Sequence, residues 1–254
     1  MKIPGIVAAS LFVVAISCPC RANLTNLIAT ADASLVQSAP NNNSGGNSFM
    51  TAGADGSGPR RGLFLFDIAG AIPTGATINS VTLTLTVPNG NTANPSTFDL
   101  FRVVADWSEG DNVGSAGTLA DTGEVTWNSR HHGLTLWNTP GGDYSAGSSG
   151  ATFVSGLGAY AWSSATMTAD VQLWRDTPAT NFGWILISQL EGTPQTARRF
   201  GSREDPPNAP VLTVDFTAIP EPSTALLTAL ATLALLSPAL IRVRGRNGLD
   251  PRGF

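Results

Sequence analysis

Aromatic residues near glycine-rich stretches are the side chains of this sequence best suited to contact a sugar. Trp137 and Tyr144, each beside a polar residue, flank a glycine pair, while Tyr160 and Trp162 alternate within a predicted strand. A carbohydrate site needs flat apolar faces to stack on pyranose rings and a few polar groups for the hydroxyls. We therefore take Trp137, Tyr144, Tyr160 and Trp162 as candidate carbohydrate-binding residues, with packing in the core as the alternative for each.

Carboxylates beside turns form the second set of candidates, because hard oxygen ligands are what calcium prefers. The acidic residues in such positions are Asp32, Asp55, Asp106, Glu109 and Asp111. Their spacing matches no EF-hand loop. We take Asp32, Asp106, Glu109 and Asp111 as candidate ligands of a structural calcium ion, and we expect no other cofactor.

Catalysis finds little support in the residues available. Positions 23–219 contain no lysine and no cysteine, and only two histidines and two tyrosines. Glycine-flanked serine nucleophiles, phosphate-binding loops and zinc-protease motifs are absent. Glu109 and Glu124 are a carboxylate pair by residue type, but nothing in the sequence sets the distance between them. We expect a protein without enzymatic activity.

Composition limits which elements can position these side chains. Charged residues make up 13% of the 254 residues, and 27 glycines and 17 prolines interrupt the chain, which argues against a helical bundle. Between residues 23 and 219, eight arginines stand against sixteen acidic residues, a formal charge of −8. An acidic domain of this kind excludes a nucleic-acid binder that works through a basic patch.

Apolar residues at every second position predict β-strands. Val81 to Val87 alternates without a break, and Leu63 to Ile68 is apolar on both faces, which predicts a place in the middle of a sheet. Further strands are predicted at 99–104, 124–127, 184–190 and 211–216. One short helix is expected, capped by Thr168. Many short strands separated by turn residues predict an all-β fold, a jelly-roll-like antiparallel β-sandwich.

The first 22 residues have the form of a secretory signal peptide. Lys2 precedes an apolar run at 5–17, and small residues at Cys20 and Ala22 fit a signal-peptidase site. A lipoprotein signal at Cys18 and a buried helix are the alternatives. Because both cysteines fall within this segment, the exported domain at 23–217 is expected to hold no disulfide.

The other end of the chain carries three features in a fixed order. A Pro220-Glu221-Pro222 box is followed by an apolar stretch at 225–241, and then by Arg242, Arg244 and Arg246. This order resembles the PEP-CTERM sorting signal of Gram-negative bacteria. For residues 218–246, the resemblance implies recognition by an exosortase, transient membrane anchoring by a transmembrane helix at 225–241, and delivery to the cell surface or extracellular matrix. The tail at 247–254 departs from the family's pattern, and a plain C-terminal anchor is the alternative.

The middle of the chain contains an ordered series of short blocks. The main ones are Ala31-Asp32-Ala33, 72–78, 106–110, 125–128, 181–184 and 200–204. The series resembles the DNRLRE domain, which is related to carbohydrate-binding module family 96, through about residues 27–216. The name motif itself does not occur. The resemblance implies an extracellular, polysaccharide-contacting module, with a purely structural matrix or adhesion role, or a polysaccharide-degrading enzyme, as alternatives. Within the last block, we expect Arg203 and Glu204 to form an ion pair.

Overall fold

Antiparallel β-sheets dominate the structure, a computed structural model that describes residues 22–89 and 94–219. Strand residues account for 45% and helical residues for 10%, which places the chain in the all-β class as predicted. Within the described ranges, no helix combines the length and apolar character needed to cross a membrane. The predicted signal peptide, except its last residue, and the predicted membrane segment at 225–241 lie outside the described residues.

The strands follow one another along most of the described chain, with short helical segments between them. The strands are β1 (Ala22–Ile28), β2 (Ala31–Val36), β3 (Asn42–Asn43), β4 (Phe49–Asp55), β5 (Gly58–Leu65), β6 (Thr77–Val87), β7 (Ser96–Val103), β8 (Thr118–Leu119), β9 (Ser129–His131), β10 (Thr135–Leu136), β11 (Tyr144–Val154), β12 (Gly158–Trp162), β13 (Trp184–Ser188), β14 (Arg198–Gly201) and β15 (Val211–Thr217). The helices are α1 (Ile68–Ala71) and α2 (Ala165–Asp176), and a 3-10 turn spans Pro178–Thr180.

Two main sheets contain most of these strands. The smaller sheet has the order β1-β15-β6-β12, and the larger has the order β11-β7-β13-β5-β4-β14, with β2 also paired to β5. Two further short pairs join β3 to β8 and β9 to β10. The principal core draws buried residues from both sheets and from α2, so the two layers share one apolar interior.

Strand β6 follows the predicted periodicity. Val81, Leu83 and Leu85 are at most 1% exposed, whereas the intervening threonines are half-buried. The pairing of β6 with β15 supports this buried apolar face, because Val81 lies opposite Val214 and Leu83 lies opposite Leu212. The prediction of a strand with one apolar face is confirmed, and the strand begins earlier than predicted, at Thr77.

The larger sheet is buried on both faces at its centre. All five residues of β13 are buried; Trp184 and Leu186 join the principal core, while Ile185 and Ile187 join a second cluster. That second cluster lies between the sheet and the loops and short strands of residues 104–143, and contains Leu35, Leu63, Val103, Val125, Trp127 and Trp137. Burial of each such side chain contributes about 1.5–3 kcal/mol. The predicted mid-sheet position of the 63–68 segment is confirmed for the part that lies in β5.

Three local predictions are wrong. Residues 124–127 form no strand, because the loop is held by side chains instead, including the Glu124 carboxylate that accepts the Asp121 backbone N–H at 2.8 Å. Strand β5 ends at Leu65, and Asp67 caps α1 by accepting the Gly70 N–H. Helix α2 is capped by Ser164, whose hydroxyl accepts the Met167 N–H at 3.0 Å, rather than by Thr168.

Candidate functional site

The loop between β10 and β11 brings Tyr144 to a cleft at the protein surface. The loop turns at Gly141 and Gly142, which have φ angles of 95° and 107°. A Cβ at Gly141 would lie 2.6 Å from Arg61 Nη1, and one at Gly142 would lie 3.0 Å from Ile185 Cδ1. Both the left-handed backbone and the close approach to the sheet therefore require glycine at this turn.

Asp143 holds the loop in shape. Its Oδ2 accepts hydrogen bonds from the Asn138 backbone at 2.9 Å and the Asn138 side chain at 3.0 Å, and its Oδ1 accepts the Thr139 N–H at 3.0 Å. A carboxylate that accepts several hydrogen bonds within one turn fixes that turn. Asp143 is therefore committed to the loop, and the Asn138 side chain beside it is exposed.

The resulting cleft has a volume of about 240 Å³ and combines one aromatic residue with polar groups. Its lining residues are Val104, Asn138, Thr139, Gly142, Asp143 and Tyr144. Tyr144 is half-buried, and its ring centre lies 5.2 Å from that of Phe101. Val104 is 47% exposed and extends the apolar surface. An aromatic ring beside amide and hydroxyl groups is the composition that sugar binding requires.

Arg61 supports the cleft from within the fold. Its guanidinium donates to both oxygens of Glu191, at 2.7 and 2.9 Å, and to the Gly141 carbonyl at 2.8 Å. The same group lies 4.9 Å from the Trp127 ring centre and 5.6 Å from that of Tyr144. Burial acts against the charged form, but the hydrogen bonds and charge of Glu191 raise the pKa of Arg61 above its ordinary value. The loop and the aromatic rings are thus joined through one half-buried cation.

Two of the predicted sugar-binding residues belong to the core. Trp162 is 0% exposed and donates its ring N–H to the Phe98 carbonyl at 2.8 Å. Trp137 is 4% exposed and donates to the Thr126 carbonyl at 3.0 Å. Neither ring presents a face to solvent, so the prediction of a surface platform is wrong for both, and the packing alternative holds.

Tyr160 occupies an intermediate position on β12. Its ring is half-buried and packs against the principal core, while its hydroxyl accepts the Gly156 N–H at 2.8 Å and the Ser155 N–H at 3.2 Å. Hydrogen bonding at this turn, led by the Ser155 side chain, lowers the pKa of Tyr160. Tyr160 lines neither the cleft at Tyr144 nor its loop, so these two candidates do not form one site.

Three carboxylates converge around Arg203 at a second place in the fold. Oxygens of Asp32, Glu109 and Glu204 lie within 4.8 Å of one another, the one such group of three potential metal ligands among the described residues. Arg203 makes a two-point ion pair with Glu109, at 2.8 and 2.6 Å, and lies 3.0 Å from Glu204. The predicted Arg203–Glu204 ion pair is confirmed, and Glu109 is an additional partner that the sequence did not indicate.

Asp32 is the most buried member of this cluster. It is 2% exposed, its Oδ2 accepts the Arg203 backbone N–H at 2.7 Å, and its own N–H donates to Glu109. Burial, aided by the neighbouring negative charges of Glu204 and Glu109, raises the pKa of Asp32 to about 8. Two of the predicted calcium ligands, Asp32 and Glu109, therefore meet here, and calcium binding at this cluster stays a prediction.

The other predicted calcium ligands lie elsewhere. Asp106 pairs with Arg130 and with His131 Nε2, the latter at 3.0 Å. Asp111 is exposed in the loop after β7, where its N–H donates to the Glu124 carboxylate at 3.2 Å. Asp55 forms an ion pair with Arg60 at 2.6 Å. These carboxylates already have partners or stand apart from the cluster around Arg203.

Asp106, His131 and Ser108 lie in the order of a hydrolase triad, but their hydrogen bonds do not suit base catalysis. His131 Nδ1 is 3.4 Å from the Ser108 hydroxyl and 3.2 Å from the Gly123 carbonyl oxygen. Because a carbonyl oxygen only accepts, the tautomer that donates from Nδ1 to Gly123 leaves this nitrogen without a lone pair for the serine proton.

No protein-family model matches this chain, and no curated protein matches it.

Proposed function

We propose that this chain is an exported, non-catalytic β-sandwich protein of the DNRLRE type, with jelly-roll-like topology, that contacts polysaccharide. Exosortase-dependent sorting delivers it to the cell surface or extracellular matrix of a Gram-negative bacterium. Polysaccharide contact takes place at the cleft beside Tyr144.

One observation carries the binding proposal: Tyr144 lines the cleft together with exposed polar groups, whereas Trp137 and Trp162 are buried and Tyr160 lies outside its lining. Its ring is braced by Phe101 and by Arg61, so it keeps its position without a ligand. A preformed aromatic face loses little conformational freedom on binding, which favours affinity for a flexible polymer. The small size of the cleft fits one sugar unit with the rest of the polymer outside.

A purely structural role in the matrix is the main alternative, because two of the aromatic candidates are buried. That alternative predicts no glycan affinity at all. A polysaccharide-degrading activity has less support, since the half-buried Glu109 and Glu191 are paired with arginines and His131 Nδ1 faces a carbonyl oxygen.

Glycan-array binding of residues 22–219 tests the proposal. We expect binding to at least one neutral or acidic polysaccharide, and Tyr144→Ala should lower its affinity by about tenfold or more, equivalent to about 1.4 kcal/mol. Tyr160→Ala is the matched control, since that ring lies outside the cleft. Absence of binding to every glycan would favour the structural role.

Sorting requires a separate experiment, because residues 1–21 and 220–254 lie outside the described residues. Mass spectrometry of the secreted protein should show an N-terminus near Asn23 and a C-terminus near the Pro220-Glu221-Pro222 box, after processing by signal peptidase and exosortase. Retention of residues 225–254 in the secreted form would contradict cleavage there and would favour a plain membrane anchor.

A further inference from the structure

A second pocket, distinct from the cleft at Tyr144, lies at an edge of the larger sheet. Its volume is about 170 Å³. The lining residues come from β4, β5, β14, the residue before β14 and the loop after β7, and are Thr51, Asp55, Arg60, Ser115, Ala197 and Arg199. The charged side chains in this set are two arginines and one aspartate, so the pocket has a net positive lining within a domain of formal charge −8.

Arg199 supplies a cation that pairs with no carboxylate among the residues that the structure describes. It lies opposite Thr51 across the β14–β4 pair, and its guanidinium carbon is 4.2 Å from the centre of the Phe49 ring. Within residues 22–89 and 94–219, the structure gives its side chain no ion pair and no hydrogen bond. The aromatic ring holds the guanidinium in place while leaving its N–H groups available.

Arg60 is the buried counterpart on β5, the strand on the other side of β4. It is 8% exposed, its Nη2 pairs with Asp55 at 2.6 Å, and its Nη1 donates to the Ser115 carbonyl. Its Nε, however, is buried and has no hydrogen-bond partner among the described residues. A buried donor without an acceptor is unfavourable, and an anion bound in the pocket would supply an acceptor next to this guanidinium.

We propose that this pocket binds a tetrahedral oxyanion, a sulfate or phosphate group. A single guanidinium satisfies both oxygens of a carboxylate, whereas this pocket presents donors from two arginines and the hydroxyl-bearing residues Thr51 and Ser115. A group with three or four acceptor oxygens can accept hydrogen bonds from several of these donors at once. The volume is below that of an ordinary small-molecule site, which suits one anionic group, whether free or carried on a polymer.

Calorimetric titration of the full-length protein with inorganic phosphate, inorganic sulfate and acetate tests this site. We expect phosphate or sulfate to bind at least tenfold more tightly than acetate, and Arg199→Gln to remove that preference. Arg199→Lys, which keeps the charge without the planar fork, should retain part of the affinity. Acetate binding equal to that of both oxyanions would overturn the proposal, as would full oxyanion affinity in Arg199→Gln.

Matched controls separate this proposal from the function at Tyr144. Arg130→Gln removes an arginine that already has a carboxylate partner, and should leave oxyanion affinity unchanged. Titration with sulfated dextran distinguishes a polymer-borne sulfate from a free ion. Tighter binding of the polymer than of free sulfate, lost in Arg199→Gln, assigns the site to a sulfated chain. Equal binding of the polymer and free sulfate assigns it to the ion. Neutral-glycan binding should be the same in Arg199→Gln and the unaltered protein, so either proposal can fail alone.

Discussion

The guanidinium of Arg61 and the carboxylate of Glu191 form a two-point ion pair across 130 residues of sequence. Both side chains are largely buried, at 13% and 19% exposure. Because Arg61 also contacts the Tyr144 ring and the Gly141 carbonyl, the pair links the stability of the larger sheet to the shape of the cleft.

Arg61→Met should therefore lower both stability and glycan affinity. Removing one partner of a buried ion pair leaves an uncompensated charge, which costs about 3–5 kcal/mol. Urea unfolding measures the free energy of unfolding, and Arg130→Met is the matched control. Its partner Asp106 is 59% exposed, so that control should lose only about 0–1 kcal/mol. Equal losses in the two variants would contradict the structural role assigned to Arg61.

Trp162 should contribute to stability but not to glycan binding. Trp162→Ala removes a fully buried side chain and should lower the free energy of unfolding by about 3–5 kcal/mol. Trp162→Phe should keep glycan affinity within about twofold, because the ring does not reach solvent. Chemical unfolding together with binding to the best-bound glycan measures both. Loss of binding in a folded Trp162→Phe variant would restore the sugar-platform hypothesis.

Sequence periodicity predicted the sheets but not the loops. The alternation in Val81 to Val87 identifies a buried face without knowledge of its partner, because the pattern arises from the backbone of the strand itself. The segment at 124–127 has similar apolar content, yet hydrogen bonds such as that from Asp121 to Glu124 hold it as a loop. Such contacts depend on side-chain chemistry and have no periodic signal.

The residues that form the candidate sites were also only partly predictable from the sequence. An aromatic residue near glycines has the same local sequence pattern whether its ring is partly exposed, as in Tyr144, or buried, as in Trp137. Glu109 and Arg203 are 94 residues apart, and only the packing of the larger sheet against its loops makes them partners. The sequence therefore indicated the residue types at the acidic cluster, but not that Glu204 joins it or that Asp106 does not.

Stability should fall as pH rises through the neutral range. Burial raises the pKa of Asp32 to about 8 in the folded protein, whereas the unfolded value is about 3.9. At a pH between these two pKa values, Asp32 is protonated in the folded state and ionised in the unfolded state. The free energy of unfolding therefore decreases from about pH 4 to about pH 8 and then levels off. Asp32→Asn should flatten this slope in urea unfolding. An unchanged slope in that variant would assign the pH dependence to other groups.

Arg203 should be needed to hold its three carboxylates together. Arg203→Met leaves Glu109 and Glu204 without their cation, while Asp32 keeps its bond from the backbone N–H of residue 203. We expect a melting temperature lower by several degrees, as a loss of about 1–3 kcal/mol would give. Differential scanning fluorimetry in calcium and in a chelator also tests the calcium prediction. A calcium-dependent rise that is lost in Glu204→Gln would support an ion at this cluster, whereas equal melting in both buffers would contradict one.

The most direct test of the account is to map where a polysaccharide touches the protein. Backbone NMR of residues 22–219, titrated with the best-bound glycan, should give the largest shifts at Asn138, Thr139, Gly142 and Tyr144, and these shifts should disappear in Tyr144→Ala. Shifts confined to other surfaces, or unchanged shifts in that variant, would contradict polysaccharide contact at the cleft.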